Sequence, residues 1–379
     1  MTQSLRYAIV GAGAGIVEAH LRALAQLPAA RIVGMSDVIP ERGQSRATAA
    51  GCPFFTDHCS MIEATQPDVV VICAPHPFHP QIAMDAFARG AHVLTEKPMA
   101  IQVGDADSMI AAADAAGRLL AVSFQQRFRP AIKRAARFVS EGDLGELVRA
   151  QVSESWYRTA AYYRQAPWRG TWRGEGGAVL MNQAAHTLDL LCHLAGQPVK
   201  VWGWVATRLH DIECEDTAQA MMEFANGAPG YFSSSTAEAV GGARQRILLV
   251  GEKGMLEIAD ARLMLTSFKR DAREFAMNMP EPYASPEART DEFELPGDGG
   301  GHLAVYRDLE AAIADGRQPC VDGRQALMSL ELANAITYSA HVGQPAMLPL
   351  DRRAYAALLD RLRDGSGLPP RSPHIARKS

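Results

Sequence analysis

The chain has 379 residues, 47% of them hydrophobic and 21% charged, enough apolar material for two or three cores of ordinary globular composition. A net charge of −4 and a pI near 6.3 exclude a broadly basic nucleic-acid surface, for which a domain pI above about 9 is expected. No apolar run reaches the ~20 residues of a membrane span, and the amino end carries no signal-peptide pattern. The six cysteines form no C-x-x-C pair, so a reduced cytoplasmic protein without a disulfide framework or thiolate zinc site is expected.

Tyr7–Val10 reads as a short apolar strand, followed by Gly11-Ala12-Gly13-Ala14-Gly15-Ile16 and a helical pattern through Ala25. In that arrangement backbone N–H groups at a helix amino end meet a pyrophosphate. The fingerprint G-x-G-x-x-G/A is incomplete, because Ile16 takes its third place, and a bare tight turn explains the glycines equally well. Arg31–Ser36 reads as the second strand and ends at Asp37. A carboxylate there accepts hydrogen bonds from a ribose diol and repels a 2′-phosphate, which favours NAD over NADP. The competing reading is a helix cap near Pro40, and Arg42 stands close enough to weaken the discrimination.

The run 68–74 (D-V-V-V-I-C-A) is the most apolar and reads as a central parallel strand. Ala74, Pro75, His76, Pro77, Phe78 and His79 follow. With two prolines holding an extended loop and no carboxylate nearby, His76 and His79 read as lining a cofactor rather than binding a metal. The stretch 92–101 (H-V-L-T-E-K-P-M-A-I) is a short buried strand that ends in Glu96, Lys97 and Pro98. Ligands of open α/β sheets bind at the carboxyl ends of strands, so Lys97 is expected at the mouth of the site. Leu119–Ser123 closes this half as its last strand.

The glycine-rich turn, Asp37, Ala74-Pro75, His79 and Glu96-Lys97-Pro98 together resemble the Gfo/Idh/MocA family, the relatives of glucose–fructose oxidoreductase, inositol dehydrogenase and rhizopine catabolism proteins. With that resemblance, residues 1–125 read as an α/β Rossmann domain. Its cofactor contacts are Gly11, Ala12, Gly13, Ala14, Gly15, Ile16, Asp37, Arg42, Ala74, Pro75, His76, His79, Glu96, Lys97 and Gln125. The cofactor is NAD, with NADP less favoured.

The chain then enters an amphipathic helix through Val139 and an alternating strand over Leu147–Tyr157. Beyond it, aromatic residues interleave with arginines. Aromatic faces and guanidinium forks suit a hydroxylated ring, a phosphate or a carboxylate; a loop packing its aromatics onto the sheet is the plainer reading. Arg127, Tyr157, Tyr163, Trp168, Arg169 and Trp172 are the candidate substrate contacts, with Lys97, Asn182 and His186. After Gly174-Glu175-Gly176-Gly177 an apolar helix is expected over Val179–Leu194, and its spacing places Asn182, His186 and Asp189 on one face. The run G-G-A-V-L-M-N-Q-A-A-H-T-L-D-L-L is similar to the second signature of the same family. The resemblance assigns His186 as a catalytic histidine and puts Asn182 where many relatives have Asp. An amide relays no proton, so only an orienting role carries over to Asn182.

From Val199 strand periodicity returns over 199–205, 219–224, 231–235, 246–250, 255–258 and 262–267, with hairpin turns at Asn226-Gly227 and 252–254. An α+β domain over 126–364 with an open, mostly antiparallel sheet is therefore expected, with loops over 270–301, two later helices and a flexible tail over 365–379. His302 and Tyr306 share a helix face and read as core or interface. The acidic run 210–216 reads as a solvated loop, and no metal is expected. Family members commonly pair these sheets, which implies a homodimer or homotetramer.

Oxidising a secondary alcohol requires a base for the hydroxyl proton and an acceptor for the hydride. His186 is suited to take the proton, and Lys97 to hold the developing alkoxide or share that proton. The expectation is an NAD-dependent dehydrogenase of a sugar, sugar derivative or cyclitol. The alternatives are a glycosidase using transient oxidation by bound NAD and a non-catalytic NAD sensor.

Overall fold

A computed structural model describes residues 4–239 and 243–366. The expected tail therefore lies almost wholly outside the described residues. Two compact units divide the chain: residues up to 125 with 173–176 and 300–330, and residues 126–172 with 177–299 and 331–366.

The first unit is built on six parallel strands: β1 (Arg6–Val10), β2 (Arg31–Ser36), β3 (Phe54–Phe55), β4 (Val69–Ile72), β5 (His92–Thr95) and β6 (Leu120–Val122), in the order β3-β2-β1-β4-β5-β6. β4 is buried at every position, which is why its sequence is an unbroken apolar run rather than an alternating one. The helices α1 (Val17–Leu24), α2 (Pro40–Ala49), α3 (His58–Thr65), α4 (His79–Ala88) and α5 (Val103–Ala116) connect the strands. The order reverses between β1 and β4, and a crevice at the carboxyl ends of the strands opens at such a reversal.

Residues 300–330, remote in sequence, complete this unit, so the second unit is not the single run 126–364. The helix Gly301–Asp315 sets Tyr306 edge-on against Tyr7 of β1, with ring centroids 5.5 Å apart. The hydroxyl of Tyr7 donates to Glu310 at 2.9 Å. Tyr306, on the buried stripe with Leu303 and Leu309, thus meets β1, and the helix packs along α1, a partner that helix periodicity alone does not reveal.

The second unit carries a nine-stranded sheet: β7 (Leu147–Ser155), β8 (Lys200–Ala206), β9 (Thr217–Glu223), β10 (Pro229–Ser235), β11 (Gln245–Gly251), β12 (Gly254–Ala259), β13 (Arg262–Phe268), β14 (Ala288–Glu294) and β15 (Ala346–Met347). Every pairing is antiparallel except β7 with β10. Beyond the expected strand over 147–157 and the six expected between 199 and 267, two more take part. β15 is only two residues long, and β14, with its exposed and charged sequence, extends an edge within the segment read as loops. Helices α6 (Pro130–Ser140) and α8 (Ala185–Ala195) cover one face, with the short α7 (Ala160–Arg164) between them in the chain. Gly203 of β8 lies against the Ile336 carbonyl, where a Cβ would come within 2.1 Å, and its N–H donates to Ser339 at 2.9 Å. The opposite face exposes Trp202, Trp204, Met221 and Tyr231.

Candidate active site

In the first unit the glycine-rich turn sits at the reversal of strand order. Gly11 has φ +83°, a left-handed conformation, and a Cβ there would meet the Ala74 N atom at 2.6 Å. The Gly11 and Ala12 N–H groups donate to the Ser36 carbonyl at 2.8 and 2.9 Å, which locks the turn onto the end of β2. Gly13 N–H donates to Asp37 Oδ2 at 2.8 Å, and Ile39 N–H donates to Oδ1 at 2.9 Å. Beside Gly15 no atom lies within 4 Å of where a Cβ would stand, so the turn is open at the foot of α1. Ile16, the departure from the fingerprint, is the residue preceding α1. This cradle fits a dinucleotide: a backbone close enough to meet phosphates, an open amino end of a helix, and a carboxylate at the end of β2.

Arg42 is exposed, but its Cβ closes on Gly13, where a Cβ would approach to 2.4 Å. Arg46, not singled out from the sequence, braces the turn by donating to the Ala12 carbonyl at 2.6 Å and the Ala14 carbonyl at 3.0 Å. Its one sequence signal is that it stands one helical turn beyond Arg42.

The loops after β4 and β5 are tied together by His79. Its Nε2 faces the Ala74 carbonyl at 2.7 Å and its Nδ1 faces the Pro98 carbonyl at 3.0 Å, while burial pushes its pKa down. His76 Nδ1 stands 3.3 Å from the Glu175 carbonyl. Both histidines therefore order loops at the carboxyl ends of the strands. Glu96, directly after β5, places Oε1 3.1 Å from His20 Nε2 and 3.2 Å from His302 Nε2. His20 Nδ1 in turn lies 2.8 Å from the Tyr306 hydroxyl. Burial opposes the charge on Glu96, but the hydrogen bonds and charges of the two imidazoles outweigh it and hold the carboxyl well below its usual range. Lys97 and Pro98 follow immediately, joined by a cis peptide bond. His20 comes from α1 and His302 and Tyr306 from one face of the helix Gly301–Asp315, so linear spacing pairs the last two but does not bring His20 or Glu96 to them.

In the second unit the expected single helix over Val179–Leu194 is broken in two. A π-turn spans Val179–Gln183, with the Ala184 N–H donating to the Val179 carbonyl at 2.8 Å, and α8 follows it. Glu215 Oε1 accepts from the N–H groups of Ala178 and Leu180 at 3.0 and 3.1 Å, satisfying donors that a helix start leaves over. Asn182 lies on the π-turn and His186 on the first turn of α8. Such one-turn bulges recur at functional sites. Asp189, expected on the same polar stripe, is buried and takes a bidentate pair from Arg127, Nε at 2.8 Å and Nη2 at 2.6 Å. That fork of Arg127, a candidate substrate contact, is thereby engaged inside the unit.

The aromatic and arginine segment is layered. Tyr163 is buried, with its hydroxyl 2.7 Å from the Thr236 hydroxyl and its ring 4.7 Å from that of His210. Trp172 is buried, edge-on to His341 at 5.7 Å. Tyr157 is exposed and Trp168 half-buried, with the Arg169 guanidinium 4.7 Å over its ring. Tyr162, passed over in favour of Tyr163, is the residue that joins Arg169 to Asn182 and Gln183. Gln125, the remaining cofactor candidate, begins the short 3₁₀ turn Gln125–Phe128.

Residues 5–124 match the family described as "Oxidoreductase family, NAD-binding Rossmann fold", and residues 132–257 match its "GFO/IDH/MocA C-terminal domain". The fold and the cradle thus define an NAD-binding oxidoreductase. The chain belongs to the Gfo/Idh/MocA family. It is 30% identical to the WlbA dehydrogenase of Bordetella pertussis, solved with NADH and UDP-GlcNAcA, at a TM-score of 0.78, covering 92% of this chain and 100% of that one. It is 27% identical over 335 residues to D-apiose dehydrogenase of Paraburkholderia graminis, spanning 87% of this chain and 86% of that protein. Over 339 residues it is 24% identical to myo-inositol 2-dehydrogenase of Thermotoga maritima, spanning 87% and 95% respectively. No helix among the described residues is long and apolar enough to cross a membrane.

Proposed function

We propose that the protein oxidises a secondary hydroxyl of a sugar, a sugar derivative or a cyclitol, with NAD as hydride acceptor, in the cytoplasm. Lys97 and His186 handle the hydroxyl proton: His186 accepts it, and Lys97 stabilises the negative charge that develops on oxygen. Asn182 orients a hydroxyl or the His186 ring and transfers no proton. NAD, when bound, supplies the electrophilic carbon that takes the hydride. The observation that carries this reading is the Glu96-Lys97-Pro98 turn, whose first residue is clamped by two imidazoles at the end of β5. A lysine delivered on so fixed a backbone is suited to positional chemistry. The chain's 30% identity to a dehydrogenase solved with a nucleotide sugar adds that class to the candidate substrates.

The test is absorbance of reduced nicotinamide after mixing the protein and NAD with a panel of free sugars, inositols, glycosides and nucleotide sugars. Turnover is expected with at least one member and is expected to fall by about 10²-fold or more in Lys97→Ala and His186→Ala. Hydrolysis of a glycoside without net NADH, or turnover untouched in Lys97→Ala, overturns the reading.

We also propose that two copies associate through the exposed face of the nine-stranded sheet. Trp202 faces Met221 across β8 and β9, and Met221 faces Tyr231 across β9 and β10. This forms a continuous apolar row on one side of the sheet, the kind of patch that marks association.

A further inference from the structure

The hydroxyl oxygen of Tyr162 is the meeting point of three side chains. Arg169 Nη1 donates to it at 2.6 Å, Gln183 Nε2 at 2.8 Å and Asn182 Nδ2 at 3.2 Å. Two guanidinium groups flank the same ring, Arg169 at 4.4 Å and Arg158 at 4.9 Å from its centroid. The ring of Tyr163 packs edge-on at 5.1 Å. A neutral phenol carries a proton of its own and two lone pairs, so three N–H donors exceed what its oxygen can accept. Loss of that proton removes the conflict. The two flanking cations favour the resulting anion, both through the ring face and through a charge-assisted hydrogen bond.

We propose that Tyr162 is a positioning residue of the reaction, its ionised oxygen holding the amides of Asn182 and Gln183 on the π-turn. This rests on the proposed dehydrogenase reading only for its kinetic consequence. Both amides belong to the π-turn that leads into α8, and His186 stands on the first turn of that helix. Fixing the Asn182 nitrogen on Tyr162 directs its carbonyl oxygen away from the phenol. Arg169 links the hub to the aromatic segment, so a ligand that engages this guanidinium pulls on the same oxygen.

The decisive measurement is the near-ultraviolet difference spectrum between the wild-type protein and Tyr162→Phe, titrated with pH. The difference isolates one tyrosine among nine. A tyrosinate band present at neutral pH, where ordinary tyrosine with a pKa near ~10 is protonated, is the expected result. Against the wild type directly, Arg169→Gln is expected to lose part of the tyrosinate band at neutral pH, a comparison that holds even where Tyr162→Phe fails to fold. On a substrate found by the panel, Tyr162→Phe is expected to lower kcat about tenfold or more with KM changed less than about threefold. Adding Asn182→Ala to it is expected to cost less than the two single losses combined. A neutral phenol at pH 7, with the Gln183 amide turned to accept its proton, overturns the proposal, as does unaltered kcat in Tyr162→Phe. The spectrum needs no substrate, so it stands or falls apart from the dehydrogenase reading.

Discussion

The Nε2 atom of His20 lies 3.1 Å from Oε1 of Glu96, which ties the helix after the glycine-rich turn to the residue before Lys97. His302 shares the same oxygen at 3.2 Å and brings the helix Gly301–Asp315 to the clamp. Glu96→Gln is therefore expected to destabilise the protein by about 2 kcal/mol at neutral pH, the scale of buried hydrogen bonds to a charged group. Because the folded carboxyl is held below its unfolded range, its contribution is complete above that range and is lost as pH falls through the depressed folded value. Urea denaturation at several pH values checks this: the gap between wild type and variant is expected to close on acidification. A gap that is constant down to the acid limit refutes it.

Glu154 behaves in the opposite sense. It is buried beneath α8, and its carboxyl accepts from the Thr187 hydroxyl at 2.5 Å, from Trp156 Nε1 at 2.9 Å and from Gln245 Nε2 at 3.3 Å. Burial outweighs these bonds and pushes its pKa up to about 7. For an acid raised in the folded state, stability is greatest below the unfolded pKa near ~4.3 and declines until pH passes the folded value. Glu154→Gln is expected to lack this decline, which is of order 3 kcal/mol between about pH 4.5 and pH 7. Denaturant midpoints measured across that window decide it, and parallel curves for wild type and variant would contradict the assignment.

Asp37 holds the glycine-rich turn through Gly13 N–H and its own loop through Ile39 N–H. A carboxylate so fixed repels a 2′-phosphate, whereas Asn in its place keeps acceptor geometry at one oxygen and removes the charge. Asp37→Asn is expected to weaken NADH binding about tenfold and to narrow the preference over NADPH, both read from nicotinamide fluorescence titrations. An unchanged ratio between the two cofactors would remove Asp37 from discrimination.

Most of the parallel sheet was legible because β1, β4, β5 and β6 are buried along nearly their whole length, so their apolar runs announce themselves, and because Gly11, Asp37 and Glu96-Lys97-Pro98 fall at strand ends; the two-residue, half-buried β3 gave no such run. Hidden from any linear reading were contacts between distant residues: His20 with Glu96, His302 with Glu96, and Arg127 with Asp189. The π-turn at Val179–Gln183 was invisible because Asn182 and His186 keep an α-helical spacing even where the helix does not. Composition does not separate Tyr162 from Tyr163; only the fold shows that Tyr163 points at Thr236 and Tyr162 at Asn182. The charged strand β14 lacked the apolar alternation by which a half-buried strand is recognised, since it pairs at an edge with most of its residues exposed.

The exposed row Trp202, Met221 and Tyr231 lies on neighbouring strands in direct register, so its side chains form one surface rather than three isolated ones. Lys200 adds a cation 4.6 Å over the Trp202 ring at one end. Burying this row against a second copy removes aromatic surface from water, while placing a carboxylate in it sets like charges against each other across a two-fold interface. Trp202→Glu combined with Tyr231→Glu is therefore expected to convert the assembly to monomers, measured as molar mass by light scattering after gel filtration. NADH binding is expected to survive the double substitution, because both positions lie in the nine-stranded sheet and the cradle is built from the ends of β1, β2 and β4, the foot of α1 and Arg46 of α2. A monomeric wild type, or an oligomer unaffected by both charges, rules out this face as the interface.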